Sequence, residues 1–136
     1  MLNADKSLAL ACILTFLTGA TSAAEPAPET VSMIDLIANG EKYDGKLIQV
    51  GGFISLTWED DALYFSKQDY AVQLTKNAIW LDIDESTEAK LKKYDQHYGY
   101  IVGTFSAKGC GHLCLYHGSI KFENIPLTYN ESARTK

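Results

Sequence analysis

From Lys46 onward the chain alternates. Ile48, Val50, Ile54 and Leu56 are apolar, and Gln49, Gly51, Ser55 and Thr57 lie between them. Period two sustained this far predicts a long half-buried strand. Gly51-Gly52 in its middle marks a bulge or sharp bend, the device by which a long strand curls between two halves of a barrel. Leu63 and Phe65 alternate with Tyr64 and Ser66 in a second strand, and Ile79, Leu81 and Ile83 with Trp80, Asp82 and Asp84 in a third. The stretch from Lys67 to Asn77 lacks a clear period and reads as a loop with one helical turn. Asp84 or Ser86 can cap a short amphipathic helix carrying Glu88, Leu91, Lys92 and Tyr94, which ends before Gly99. A fourth strand runs from Tyr98 to Ser106. A turn at Gly109 and Gly111 leads to a fifth, from about Leu113 to Phe122, broken by Gly118. Upstream, Val31, Ile34 and Ile37 share a helical face, with Thr30 or Ser32 as cap and Gly40 as stop.

The order is three strands, a helix, then two strands. A mainly β chain with a short helix between strands three and four of five is the order of the OB barrel, here preceded by a short N-terminal helix. Val50-Gly51-Gly52-Phe53 returns as Val102-Gly103-Thr104-Phe105, as expected of two bent barrel strands. Further segments extend the likeness: Tyr43-Asp44-Gly45-Lys46, Leu63-Tyr64-Phe65-Ser66, Lys76-Asn77-Ala78-Ile79-Trp80-Leu81-Asp82, and Gly111-His112-Leu113 leading to Gly118-Ser119-Ile120. On these residues the chain resembles a group of small exported bacterial OB-like proteins. The resemblance implies a fold and an export address but assigns no activity, since fold alone does not set function. Cys110 and Cys114 are the expected departure from the group's pattern.

The first residues read differently. Leu8 to Leu17 is an unbroken apolar run apart from Thr15, followed by Ser22-Ala23-Ala24. About ten apolar residues are too few for a membrane-spanning helix, which needs roughly 20. With small residues before a cut they predict a signal peptide over 1–24, and hence a periplasmic or secreted protein. Cys12 sits inside that run and is discarded with it. Glu25 to Thr30, with Pro26 and Pro28, reads as an extended linker. The OB-like domain is expected over 31–127 and a polar tail over 128–136.

The chain carries a formal net charge of −5 and a single arginine, Arg134. Phosphate and guanine recognition lean on arginine's planar fork. Lys90, Lys92 and Lys93 are interspersed with Glu85, Glu88 and Asp95, the pattern of a solvated helix face. The electrostatic footprint of a nucleic-acid binder is therefore missing.

Reactive side chains concentrate in Cys110-Gly111-His112-Leu113-Cys114-Leu115-Tyr116-His117. An exported chain favours a Cys110–Cys114 disulfide closing a tight loop. A zinc or copper site is the second reading of this hairpin. On a strand, however, His112, Cys114 and Tyr116 would face one way and His117 the other, and the spacing fits no strong zinc pattern. Thiol oxidoreductases want Cys-x-x-Cys at a helix start, which this is not. Asp82, Asp84, Ser86 and Glu88 alternate as in a calcium loop, but Thr87 and Lys93 stand where glycine and glutamate are needed. No catalytic motif is present.

Tyr64 and Trp80 are the leading binding residues. With Leu63, Phe65, Ile79, Leu81 and Ile83 facing inward, both rings face outward on the strands that form the usual OB binding face. There they can stack on ligands or anchor a partner. The alternative is that the N-terminal helix or the Lys67–Asn77 segment covers them. His112 and Tyr116 on the hairpin complete the candidate site. The expectation is a non-enzymatic binding module for a protein or glycan of the cell envelope, without metal or cofactor and without a membrane span after cleavage. A single-stranded nucleic-acid-binding domain, or a metal or redox role at the Cys110–His117 hairpin, is the alternative.

Overall fold

A computed structural model describes residues 26–124. The expected signal segment with Cys12, and the chain beyond Asn124, lie outside the described residues. The order of elements is β1 (Glu29–Val31), α1 (Met33–Ala38), β2 (Leu47–Thr57), β3 (Asp60–Tyr64), α2 (Lys67–Ala71), β4 (Ala78–Asp82), α3 (Glu85–Leu91), β5 (Tyr98–Ser106) and β6 (Ser119–Asn124). The described residues are mainly β, with three short α-helices.

The six strands form one sheet in the order β1-β2-β3-β4-β6-β5, and β2 also pairs with β5. Five strands, β2 to β6, thus close a ring of pairings. β1 is the sixth, parallel to β2, with Glu29 opposite Ile48 and Val31 opposite Val50. Glu29 and Thr30, linker by composition, are therefore part of the sheet. The alternation that predicted β2 explains the ring. Ile48, Val50, Ile54 and Leu56 point into it, where they meet Leu63, Ile79, Leu81, Ile101, Phe105 and Ile120. Burying these apolar side chains from water is the main driving force for closure. α1 adds Met33 and Leu36, and α3 adds Leu91.

β2 changes neighbours along its length. Leu47 to Phe53 pair with β5, and Phe53 to Thr57 pair with β3. The exchange needs close backbone approach at Gly52, where a Cβ would lie 2.6 Å from the Tyr64 carbonyl oxygen. The helices start where capping residues stand: Ser32 accepts from the Asp35 amide, Ser66 from that of Asp69, and Asp84 from that of Thr87.

Two expectations need correction. The sheet has six strands rather than five, because three residues ahead of α1 add to the β2 edge. The last strand begins at Ser119 rather than near Leu113. Residues 112–114 form a 3-10 turn instead, with Leu113 and Cys114 at positive φ, a conformation a strand excludes. The facing argument built on a strand at His112, Cys114 and Tyr116 falls with it. The Val-Gly-x-Phe echo does fall on two paired strands, but its phenylalanines serve different layers. Phe105 lies in the ring interior and Phe53 in a second cluster outside it.

Candidate functional site

That second cluster lies on the outer face of β2, β3 and β4. Strand alternation directs Phe53 and Ser55 from β2, Asp60, Ala62 and Tyr64 from β3, and Ala78 and Trp80 from β4 to this face. Register then sets Phe53 opposite Tyr64, and Ala62 opposite Trp80. Phe53, Ala62, Tyr64, Ala78 and Tyr116 are buried there, with Tyr70 and Trp80 packed against them. Neighbouring rings sit 5.3–5.5 Å apart: Tyr98 on Phe53, Phe53 on Tyr70, Tyr70 on Tyr64, and Tyr116 on Trp80. A band of aromatic rings therefore crosses the outside of the sheet, at separations where edge-to-face contact is favourable.

At its centre is a buried carboxylate. Asp60 is only 9% exposed. Its Oδ1 accepts from the Tyr116 hydroxyl at 2.7 Å and the Tyr64 hydroxyl at 2.9 Å, and its Oδ2 from the Ser55 hydroxyl at 3.0 Å. The three donors come from β3, β2 and the loop ahead of β6. Burial, reinforced by the adjacent carboxylate, raises the pKa of both phenols well above the usual tyrosine range. Both stay protonated donors at physiological pH. With three acceptor positions filled and little access to solvent, Asp60 anchors hydroxyls; a general base must reach a substrate proton.

The loop that delivers Tyr116 is closed by the Cys110–Cys114 disulfide, whose Cα atoms lie 4.4 Å apart. The Tyr116 amide donates to the Cys110 carbonyl, and the Cys114 amide to that of Gly111. Gly111 has a φ of +62° and lies flat against the indole of Trp80, where a Cβ would come within 2.6 Å of the ring. Only glycine meets both conditions. Two hydrogen bonds fasten the loop's far end to β4, from His117 N to Ala78 O and from Trp80 N to Gly118 O. His112 Nε2 lies 3.7 Å from a Glu59 carboxylate oxygen, so the turn between β2 and β3 meets the disulfide loop.

The sequence-derived residues Tyr64, Trp80, His112 and Tyr116 thus gather on one side of the sheet, but not as a wet surface. Tyr64 does face outward, yet its exposure is 0%, and Tyr116 is buried with it. Trp80 is half-buried. The cover comes from α2, which supplies Tyr70, and from the disulfide loop. The expectation of an exposed Tyr64 is corrected: part of the Lys67–Asn77 segment folds over it. Phe65, expected in the core, is exposed at the end of β3.

Sequence reasoning passed over Asp60, Tyr98 and Tyr100. These two tyrosines, two apart on β5, stand on the outer face beside Phe53 and Gly51, 50% and 44% exposed. The Tyr100 ring lies over Gly51. Alternation of Tyr98, Tyr100 and Val102 with Gly99 and Ile101 was the available signal.

A second acid lies at one end of the ring. Asp61 points to the interior side, opposite Leu56, and its Oδ1 is buried without a hydrogen-bond partner. Burial, then the nearby Glu88 and Asp60 charges, push its pKa up to about 6 against the opposing pull of Lys92. Lys92 itself donates to the Leu56 carbonyl at 2.6 Å and pairs with Asp95. Among the described residues no group of three or more His, Cys, Asp and Glu could hold a metal ion, and no helix is long and apolar enough to cross a membrane. No protein-family model matches the chain, and no curated protein or solved structure matches it either.

Proposed function

We propose that this protein is an exported, non-enzymatic binding module built on an OB-like barrel, with β1 as an added edge strand. Its partner is a protein or glycan of the cell envelope, met by the outer face. The observation that carries the reading is the aromatic band, which is sealed at Tyr64 and Tyr116 but half-exposed at Tyr98 and Tyr100. Two flat rings beside side-chain-free Gly51 offer an apolar platform edged with hydroxyls. Surfaces of this kind stack on sugar faces or anchor a partner side chain. The OB barrel is a recurrent scaffold for oligosaccharide contact, though its usual strands are the ones covered here. A net charge of −5 weighs against phosphate-rich partners. The disulfide agrees with an oxidising compartment.

The test compares wild type with Tyr100→Ala in co-sedimentation with purified cell-wall glycan and in cross-linking to envelope proteins. A single-stranded oligonucleotide titration at low salt runs beside them. Capture by glycan or protein, lost in Tyr100→Ala at unchanged melting temperature, supports the reading. Undiminished capture by the variant refutes the platform. Tight oligonucleotide binding with no envelope capture refutes the partner class.

A further inference from the structure

We propose that the Cys110–Cys114 disulfide is a reducible latch, and that its reduction by an external dithiol releases Tyr116 from Asp60 and uncovers Trp80. This goes beyond the binding reading and stands whether or not that reading holds. Three observations carry it. First, the bond is reachable: Cys114 is exposed while Cys110 is half-buried. Second, the loop's conformation is costly. Leu113 and Cys114 have positive φ, at 51° and 56°, and L side chains rarely adopt that region. Third, what the loop delivers is central. Tyr116 hangs from the Cys110 carbonyl through its amide, donates its hydroxyl to Asp60, and packs its ring against Trp80, while Gly111 lies close against the same indole.

The opening has a defined limit. His117 and Gly118 remain bonded to β4, and β6 remains paired with β5 from Ser119 onward. Freed residues therefore end near Tyr116, and the ring core stays closed. In the reaction, one thiolate of the dithiol attacks Sγ of Cys114. The S–S bond breaks, and Cys110 leaves as a thiolate that takes up a proton. The second thiol, as thiolate, then attacks the mixed disulfide and frees Cys114, which is protonated in turn. The protein gains two electrons and two protons, and the reductant becomes a disulfide.

The experiment uses full-length Trp58→Phe protein, so that emission reports Trp80; Trp58 is 90% exposed, in the turn between β2 and β3. Dithiothreitol is titrated while Cys110 and Cys114 alkylation is mapped by peptide mass spectrometry. The expected result is a red shift of Trp80 emission that follows thiol appearance, with far-UV circular dichroism retained. A Cys110→Ser/Cys114→Ser variant should show the same emission without reductant. Three outcomes overturn the proposal: no reduction under native conditions, reduction with unshifted emission, or global unfolding on reduction. The last would make the bond a structural staple. Should the double variant fail to fold, the chemical titration decides alone.

Discussion

Replacing Tyr116 by phenylalanine removes one oxygen and nothing else from the outer cluster. That oxygen sits 2.7 Å from Asp60 Oδ1, inside a site nearly closed to water. A hydrogen bond to a charged acceptor contributes about 1.5–3 kcal/mol. Asp60 keeps the Tyr64 and Ser55 donors, so the carboxylate is not stranded, and about 2 kcal/mol is the expected loss. In a domain of this size that lowers the melting temperature by roughly 10 °C. Urea unfolding should show a lower midpoint at unchanged m-value, because ring volume and exposed area are conserved. Tyr64→Phe should cost a similar amount, since its hydroxyl serves the same oxygen. The double variant should lose at least about 1 kcal/mol more than the sum, because Oδ1 then has neither phenol. A loss below about 0.5 kcal/mol in both single variants would refute the reasoning, since that is the scatter of ordinary surface changes. It would mean that water satisfies Asp60 and that the cluster is open.

Two further perturbations test the neighbouring parts. Asp61 has a folded pKa near 6, raised by burial, so its ionised form opposes folding. Asp61→Asn should therefore stabilise the protein at pH 7, by about 1 kcal/mol once solvent screening is allowed for. The gain should shrink as pH falls through 6 and vanish below about 4, where the carboxyl is protonated in both folded and unfolded chains. A gain of equal size at pH 4 and pH 7 would exclude the titration as its cause. Gly111→Ala places a methyl group against the Trp80 ring at a positive φ and should cost about 1–3 kcal/mol, visible as a changed near-UV tryptophan signal and a lower melting temperature.

Much of the strand framework was legible because period two reports directly which side chains leave water. The alternation around Ile48, Leu63 and Ile79 placed β2, β3 and β4, and of the two offered caps of α3, Asp84 and Ser86, the structure uses Asp84. The miss at residues 112–118 has a physical origin. Leu113, Leu115 and Tyr116 look like strand residues, but a cross-link between positions four apart forces a turn that propensity alone does not anticipate. The site was half legible. Tyr64 and Trp80 were assigned to the correct face, yet their exposure depended on whether anything covered that face. Tyr70, from the helix that follows β3, and Tyr116, from far along the chain, decided it.

Composition and alternation determined by themselves a mainly β chain with inward apolar rows and an outward aromatic row on β3 and β4, and the export reading favoured the Cys110–Cys114 disulfide. Local sequence can do this because side-chain direction along a strand follows from backbone geometry alone. Only the tertiary structure decided that Asp60 is the hub of three hydroxyls, that Tyr64 is sealed, and that Tyr98 and Tyr100 remain open. Burial is a property of what other segments bring to a face, and hydrogen bonds between residues 56 positions apart, such as Tyr116 and Asp60, exist only once the ring has closed.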